Sequence, residues 1–300
     1  MSKKLISYLN LAVCIVFWAS APVAAKKILV ELNNLQTLFY STLLSFLVIG
    51  IVLLAQKKTG LLKRTSAKKY GIMAILGFLG SYLFYVFLYG AFSHTTASEA
   101  FVLDYTWPVM VLILAFILLK EKITVQKILA ILIGFFGIIV IVTHGKPLSF
   151  ELTSLTGDAL ALLGAFTFAL FSVLGKKYNF DKTVSVFVYF LSALIFVTAT
   201  TLVFSSIPWP SASIWPWLLF NGILVNGVTY IFWFNALEHG DTHIISNALY
   251  LTPFLSLVYI WLLLDEKILP SSIVGLLIIV AGIVVSYGGS KRIPAKSRRK

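Results

Sequence analysis

The stretch "HTTASEAFVLDYTWPVMVLILAF", residues 94–116, decides how the chain is read. It is oily enough for lipid, yet it carries Glu99, Asp104 and Pro108. Backbone and charge must be satisfied internally in a bilayer, so a helix holds such residues there only for a reason. Extended to Leu119, the run reaches about the 20 residues that cross a hydrocarbon core. Working outward, runs of this kind lie near 7–25, 37–55, 71–92, 99–119, 125–143, 157–175, 184–204, 214–237, 243–264 and 271–289. The chain of 300 residues is only 12% charged, roughly half the share of a soluble domain. The expectation is an all-α integral membrane protein with ten transmembrane helices.

A net charge of +13 would suit nucleic acid if it covered one surface, but its distribution follows the membrane instead. With ten spans and a cytoplasmic N-terminus, 20 of the 24 Lys and Arg residues fall on the inner side. Lys26, Lys27, Lys146 and Lys267 are the four left outside. That bias is the positive-inside rule, and it puts both termini in the cytoplasm. The opening Lys3-Lys4, apolar stretch and Ala19-Ser20-Ala21 also fit a cleavable leader, but the first run has a counterpart in the second half. One cysteine, Cys14, leaves no disulfide or zinc framework.

Residue n resembles residue n + 145 without a gap across four spans. Gly77 meets Gly222, Tyr85 meets Tyr230, His94 meets His239, Tyr105 meets Tyr250 and Pro108 meets Pro253. "LLKEKI" (118–123) meets "LLDEKI" (263–268), and Gly137 meets Gly282. Each repeat holds five spans, an odd number, so the halves enter the membrane in opposite directions. Inverted repeats of this type are typical of secondary transporters, with substrate held between the halves. The division expected is 1–145, 146–290 and a basic cytoplasmic tail, 291–300.

Asp104 is the sharpest residue. A carboxylate inside a span costs about 2.5–3.5 kcal/mol on insertion scales and usually serves an ion, a proton or a substrate amine. Glu99 reads first as an acid favouring the helix dipole, with proton coupling as its second role. Pro108 frees the carbonyl of Asp104, and Pro253 that of Leu249, so both prolines mark helix kinks. Tyr105 and Tyr250 stand three residues before them. Tyr82, Tyr85 and Tyr89 share one helical face, as do Asn226, Tyr230 and Trp233. Stripes like these also arise from core packing. Asn221, Asn235 and Asn247 add neutral donors and acceptors, and Trp18 sits beside Ser20 and Pro22.

Other polar residues read as structural. Asp158 starts a helix, and Glu121 and Glu266 open cap-like turns before spans five and ten. His239, Asp241 and His243 surround Gly240 in a turn, so no metal site is expected. Asp104 with Asp158 is the one remote pair for an intramembrane enzyme, and neither an aspartyl nor a serine protease motif accompanies it. No catalytic residue and no cofactor are expected.

The pattern "HTTASEAFVLDYTWPVMVLI", the following "LLKEKITVQKILAILIGFFGIIVI" and the echo "LTPFLSLVYIWLLLDEKILPSSIVGLLIIVAGIVV" resemble the drug/metabolite transporter superfamily, in its ten-helix EamA-domain branch. The "YxWP" variant, Tyr105 to Pro108, looks like the branch of aromatic amino acid exporters. The resemblance implies a central cavity lined by helices one, three, four, six, eight and nine. It points to Trp18, Tyr82, Tyr85, Asp104, Tyr105, Trp107, Asn226, Tyr230, Trp233 and Tyr250 as substrate-binding, with helices five and ten bracing the halves. That exporter pattern usually has asparagine where this chain has Asp104. The membrane glutamate of the four-helix multidrug relatives has no counterpart in the first span. The function expected is export of amino acids with apolar or aromatic side chains by alternating access, with lipophilic-cation export as the alternative. The partners are a small-molecule substrate and the lipid bilayer, not nucleic acid, and the chain works as a monomer or homodimer.

Overall fold

The computed structural model describes residues 3–120, 125–146, 154–175, 178, 180–239, 248–249 and 251–288. Among them every regular element is helical. Ten helical units match the ten apolar runs. They are α1 (Lys3–Leu29), α2 (Asn34–Ala55), α4 (Ala67–Gly77) running through a π segment (Phe78–Leu83) into α5 (Phe84–His94), and α6 (Ala97–Asp104) followed by α7 (Trp107–Leu119). After these come α8 (Val125–Val142), α9 (Leu155–Gly175) and α10 (Lys182–Phe204). Then α11 (Trp215–Leu219) runs through a second π segment (Phe220–Val228) into α12 (Thr229–His239), followed by α13 (Leu251–Leu264) and α14 (Pro270–Gly288). A short α3 (Thr59–Arg64) lies between spans two and three. Six units are long and apolar enough to cross a membrane, and α8, α13 and α14 contain shorter apolar helices.

Local chemistry sets the ends. Asn33 and Gln36 form a reciprocal capping box at the start of α2, each accepting a backbone N–H at 3.0 Å. Asp181 caps α10 by accepting from Val184 N at 3.1 Å. Lys120 and Asp265, at matched places in the two "EKI" motifs, both take the left-handed conformation that stops a helix, with φ of 53° and 54°.

The anticipated kink at Pro108 is a full break. Residues Tyr105 and Thr106 form a turn, and Pro108 sits in the first turn of α7, where its missing N–H costs nothing. Pro253 likewise lies in the first turn of α13. A different departure concerns spans three and eight, which the sequence reads as plain α-helices. Each contains a π segment, and the two segments overlap at the n + 145 offset.

The principal packing pairs obey one exchange, in which span n swaps with span n + 5. Spans five and ten (α8, α14) pack on each other, as do spans two and seven (α2, α10). Spans three and six (α5, α9) correspond to eight and one (α12, α1), and four and six (α7, α9) to nine and one (α13, α1). Small residues make the closest approaches. A Cβ on Gly77 would stand 2.6 Å from the Tyr189 backbone of α10, and one on Gly222 2.7 Å from Leu44 of α2. Gly137 and Gly275 face each other between α8 and α14. Large apolar side chains such as Leu47, Ile51, Leu132, Phe135, Phe136 and Leu202 stay exposed on the outside of the bundle, as lipid contact requires.

Candidate functional site

The break between α6 and α7 places Asp104 and Tyr105 in the middle of the bundle, 5% and 8% exposed. Tyr105 donates its hydroxyl proton to the carbonyl of Leu249 at 2.8 Å. This is the carbonyl that Pro253 deprives of its helical partner, so a side chain from span four joins the Thr252 N–H, at 3.0 Å, in satisfying a break within span nine. Leu249 also packs with Trp18, Trp233, Leu11 and Ile15.

From that junction the rings continue. Trp18 lies edge-on to Tyr230, with centroids 6.0 Å apart, and 5.5 Å from Trp233. The hydroxyl of Tyr230 faces that of Tyr85, and Tyr85 packs on Tyr89 at 5.5 Å. The Tyr89 hydroxyl accepts from the amides of Asn221 at 2.8 Å and Asn226 at 3.0 Å. Asn221 donates as well to Ser41 at 2.9 Å. Both asparagines belong to the second π segment. A π turn inserts an extra residue into the helix and re-aims side chains, a device frequent at functional sites.

Asp104 has a different status from its neighbours. Its Oδ1 is buried without a hydrogen-bond partner, and the carboxylate lies within electrostatic reach of the Tyr85 and Tyr105 hydroxyls. Gly164 of α9 comes close enough that an added Cβ would stand 3.4 Å from that oxygen. A buried carboxylate with an idle oxygen is costly unless something else completes it. An ammonium group is the natural complement, and the surrounding rings offer cation–π faces and apolar area.

Trp18, Tyr85, Asp104, Tyr105, Asn226, Tyr230 and Trp233 therefore form one connected cluster. Tyr82 stands apart, packed on Phe78 and on Phe196 of α10. Trp107 lies edge-on to Phe168 of α9 at 5.2 Å, in the wall beside the break. Tyr250, Asn247 and Glu121 lie outside the described residues. Ser41 and Gly164 were not singled out by sequence reasoning. Ser41 could have been noticed as a hydroxyl inside an apolar run, whereas nothing local marks Gly164.

Glu266 corrects an expectation. It does not merely open the turn before α14. Its carboxylate accepts from Ala97 N and Ser98 N, each at 3.0 Å, and from the Ser98 hydroxyl, so it caps α6. Glu99 is a first-turn acid of α6, as expected, and Asp158 is one of α9.

A multi-span helical bundle whose two halves pack by one exchange has the architecture of a membrane transporter. The chain belongs to the EamA-like transporter family, which matches residues 5–143 and again 155–288. It is 28% identical over 281 residues to the uncharacterized transporter YoaV of Bacillus subtilis, covering 90% of this chain and 92% of that protein. An uncharacterized transporter of Archaeoglobus fulgidus is 27% identical over 292 residues, covering 93% and 96%. One solved crystal structure shares the fold with a TM-score of 0.69 at 18% identity, over 99% of this chain and 100% of the other. The protein is thus a multi-pass membrane transporter and not an enzyme, and the cytoplasmic membrane is its expected location.

Proposed function

We propose that this transporter exports small amine-bearing metabolites, foremost amino acids with apolar or aromatic side chains, by alternating access. Residues 1–145 and 146–290 act as two inverted repeats, with both termini in the cytoplasm. The observation that carries the reading is the idle Oδ1 of Asp104 at the junction of the halves, beside Tyr85 and Tyr105. In this reading Asp104 and the Asn226 amide hold the polar end of the solute. Trp18, Tyr85, Tyr230 and Trp233 hold its apolar end. Because the cluster is buried, the halves must separate on one side at a time for solute to enter and leave.

A second reading, export of lipophilic cations, is favoured by the same carboxylate, since an aspartate among rings suits an amine without a carboxyl group. Counterflow separates the two. Proteoliposomes preloaded with one class of unlabelled amino acid would be given trace labelled tryptophan, threonine or lysine outside. Accumulation of tryptophan, abolished in Asp104→Asn, is the expected result. Uptake of a quaternary ammonium tracer with no amino acid counterflow would transfer the assignment to the second reading.

A further inference from the structure

At the far end of α6 from Asp104, Glu99 has two titratable neighbours, His144 and Asp158. Glu99 is 4% exposed, and its Oε2 accepts from the Thr95 hydroxyl at 2.8 Å. Its Oε1 is buried without a hydrogen bond and faces His144 Nε2 at 3.7 Å. Asp158, in the first turn of α9, is 3% exposed, and neither carboxylate oxygen has a hydrogen-bond partner. It lies within electrostatic reach of Glu99. The three come from α6, the turn after α8 and α9, so the fold alone assembles them.

Among the described residues, the nearby groups of Lys26, Glu266 and His94 are engaged elsewhere. Lys26 of α1 is held by the Thr95 carbonyl at 2.6 Å, and its charge is shared with Glu266. Glu266 is engaged in capping α6. His94 of α5 turns its Nδ1 to the Gly90 carbonyl at 2.8 Å. Two buried carboxylates within electrostatic reach of each other are costly unless a cation offsets them, and the smallest such cation is a proton taken up by one of the two. Among the described residues no three ligating side chains converge as a metal would need.

We propose that Glu99, Asp158 and His144 form a proton-binding site, separate from the substrate cluster, and that its proton is the coupling ion of transport. A proton on the pair lets α6 pack against α9 as seen here, whereas losing it sets two carboxylates against each other. Helix α6 carries Glu99 near one end and Asp104 at the other, so a shift at the pair moves the residue that holds the solute. The coupling rests on the transport reading; the binding does not.

The binding is tested without any substrate, by infrared difference spectroscopy on the full chain in lipid nanodiscs. An Asp104→Asn background removes that carboxylate from the spectrum. Acidification from about pH 8 to about pH 5 should produce the C=O stretch of a buried carboxylic acid. The band should vanish in Glu99→Gln/Asp158→Asn, and its pH midpoint should move in His144→Gln. Absence of the band in the background protein overturns the proposal with no further variant. So does a band that survives the double substitution, or a midpoint indifferent to His144. For the coupling, the double variant made with Asp104 intact should keep counterflow but lose uphill accumulation driven by a pH gradient. Retained uphill accumulation would sink the coupling, whereas a wild type without counterflow would sink the amino acid reading and leave the band standing.

Discussion

Two residues show how a single side chain joins the halves. Tyr105 donates its hydroxyl proton to the Leu249 carbonyl, so Tyr105→Phe should destabilise the folded protein by about 1 kcal/mol, the usual worth of one such bond. A thermal midpoint in detergent equal to wild type would show that Thr252 N, which also reaches this carbonyl at 3.0 Å, is sufficient. At the lysine-rich end, burial pushes the Asp181 carboxyl up. The Lys58 ammonium at 2.9 Å and the Val184 N–H outweigh that and hold it below the ordinary carboxylate range. A lowered value in the folded state means stability that is present above the unfolded value and lost as pH falls through the folded one. Asp181→Asn keeps the cap oxygen but not the charge, so it should lose only the ion-pair and helix-dipole share, about 0.5 kcal/mol near neutral pH, and match wild type once the pH is well below about 4. Equal melting at both pH values would remove the Asp181 charge from the account of α10.

Among elements, close approach decides what is tolerated. Gly77 meets the backbone of Tyr189, which cannot yield as a side-chain tip can, whereas a Cβ on Gly71 meets nothing within 4 Å. Gly77→Ala should destabilise by about 1–3 kcal/mol through overpacking between α4 and α10. Gly71→Ala should be neutral or mildly stabilising, since alanine is the better helix former. Parallel thermal unfolding of the two variants checks this, and equal midpoints would contradict the packing described. The π segments belong to the same scale. They adjoin Gly77 and contain Gly222, where spans three and eight press against spans seven and two. An extra residue in the turn keeps both the tight contact and the inward aim of Asn226.

On the scale of the whole molecule, the proposed alternating access, applied to the exchange of span n with n + 5, calls for motion in opposite senses. Single cysteines at matched positions in α7 and α13 should change their reactivity toward a water-soluble thiol reagent in opposite directions when solute is added, one rising and its twin falling. Parallel changes would argue against rocking of two inverted halves. Lys26, Glu31, Glu99 and Glu266 all make their contacts near one end of the bundle. Lys58 and Asp181 bond at the other, so opening either side must break polar contacts at its rim.

The sequence by itself determined the class of this protein. Apolar runs of spanning length can be satisfied only as helices in lipid, and their periodicity and basic flanks are written locally. The n + 145 matches carried further, because identical prolines and left-handed stops at Lys120 and Asp265 impose the same local breaks in both halves. Pro253 even announced a free carbonyl at Leu249, but not that Tyr105 would fill it. What the tertiary structure alone decided is which polar groups meet. It gathered Asp104 with Tyr85 and Gly164, sent Tyr82 to the wall against Phe196, and turned Glu266 into the cap of a helix far from it in sequence. Helical spacing names the face a residue occupies, whereas the neighbour on that face depends on how ten helices pack, and that is settled by shape and close contact across the whole bundle.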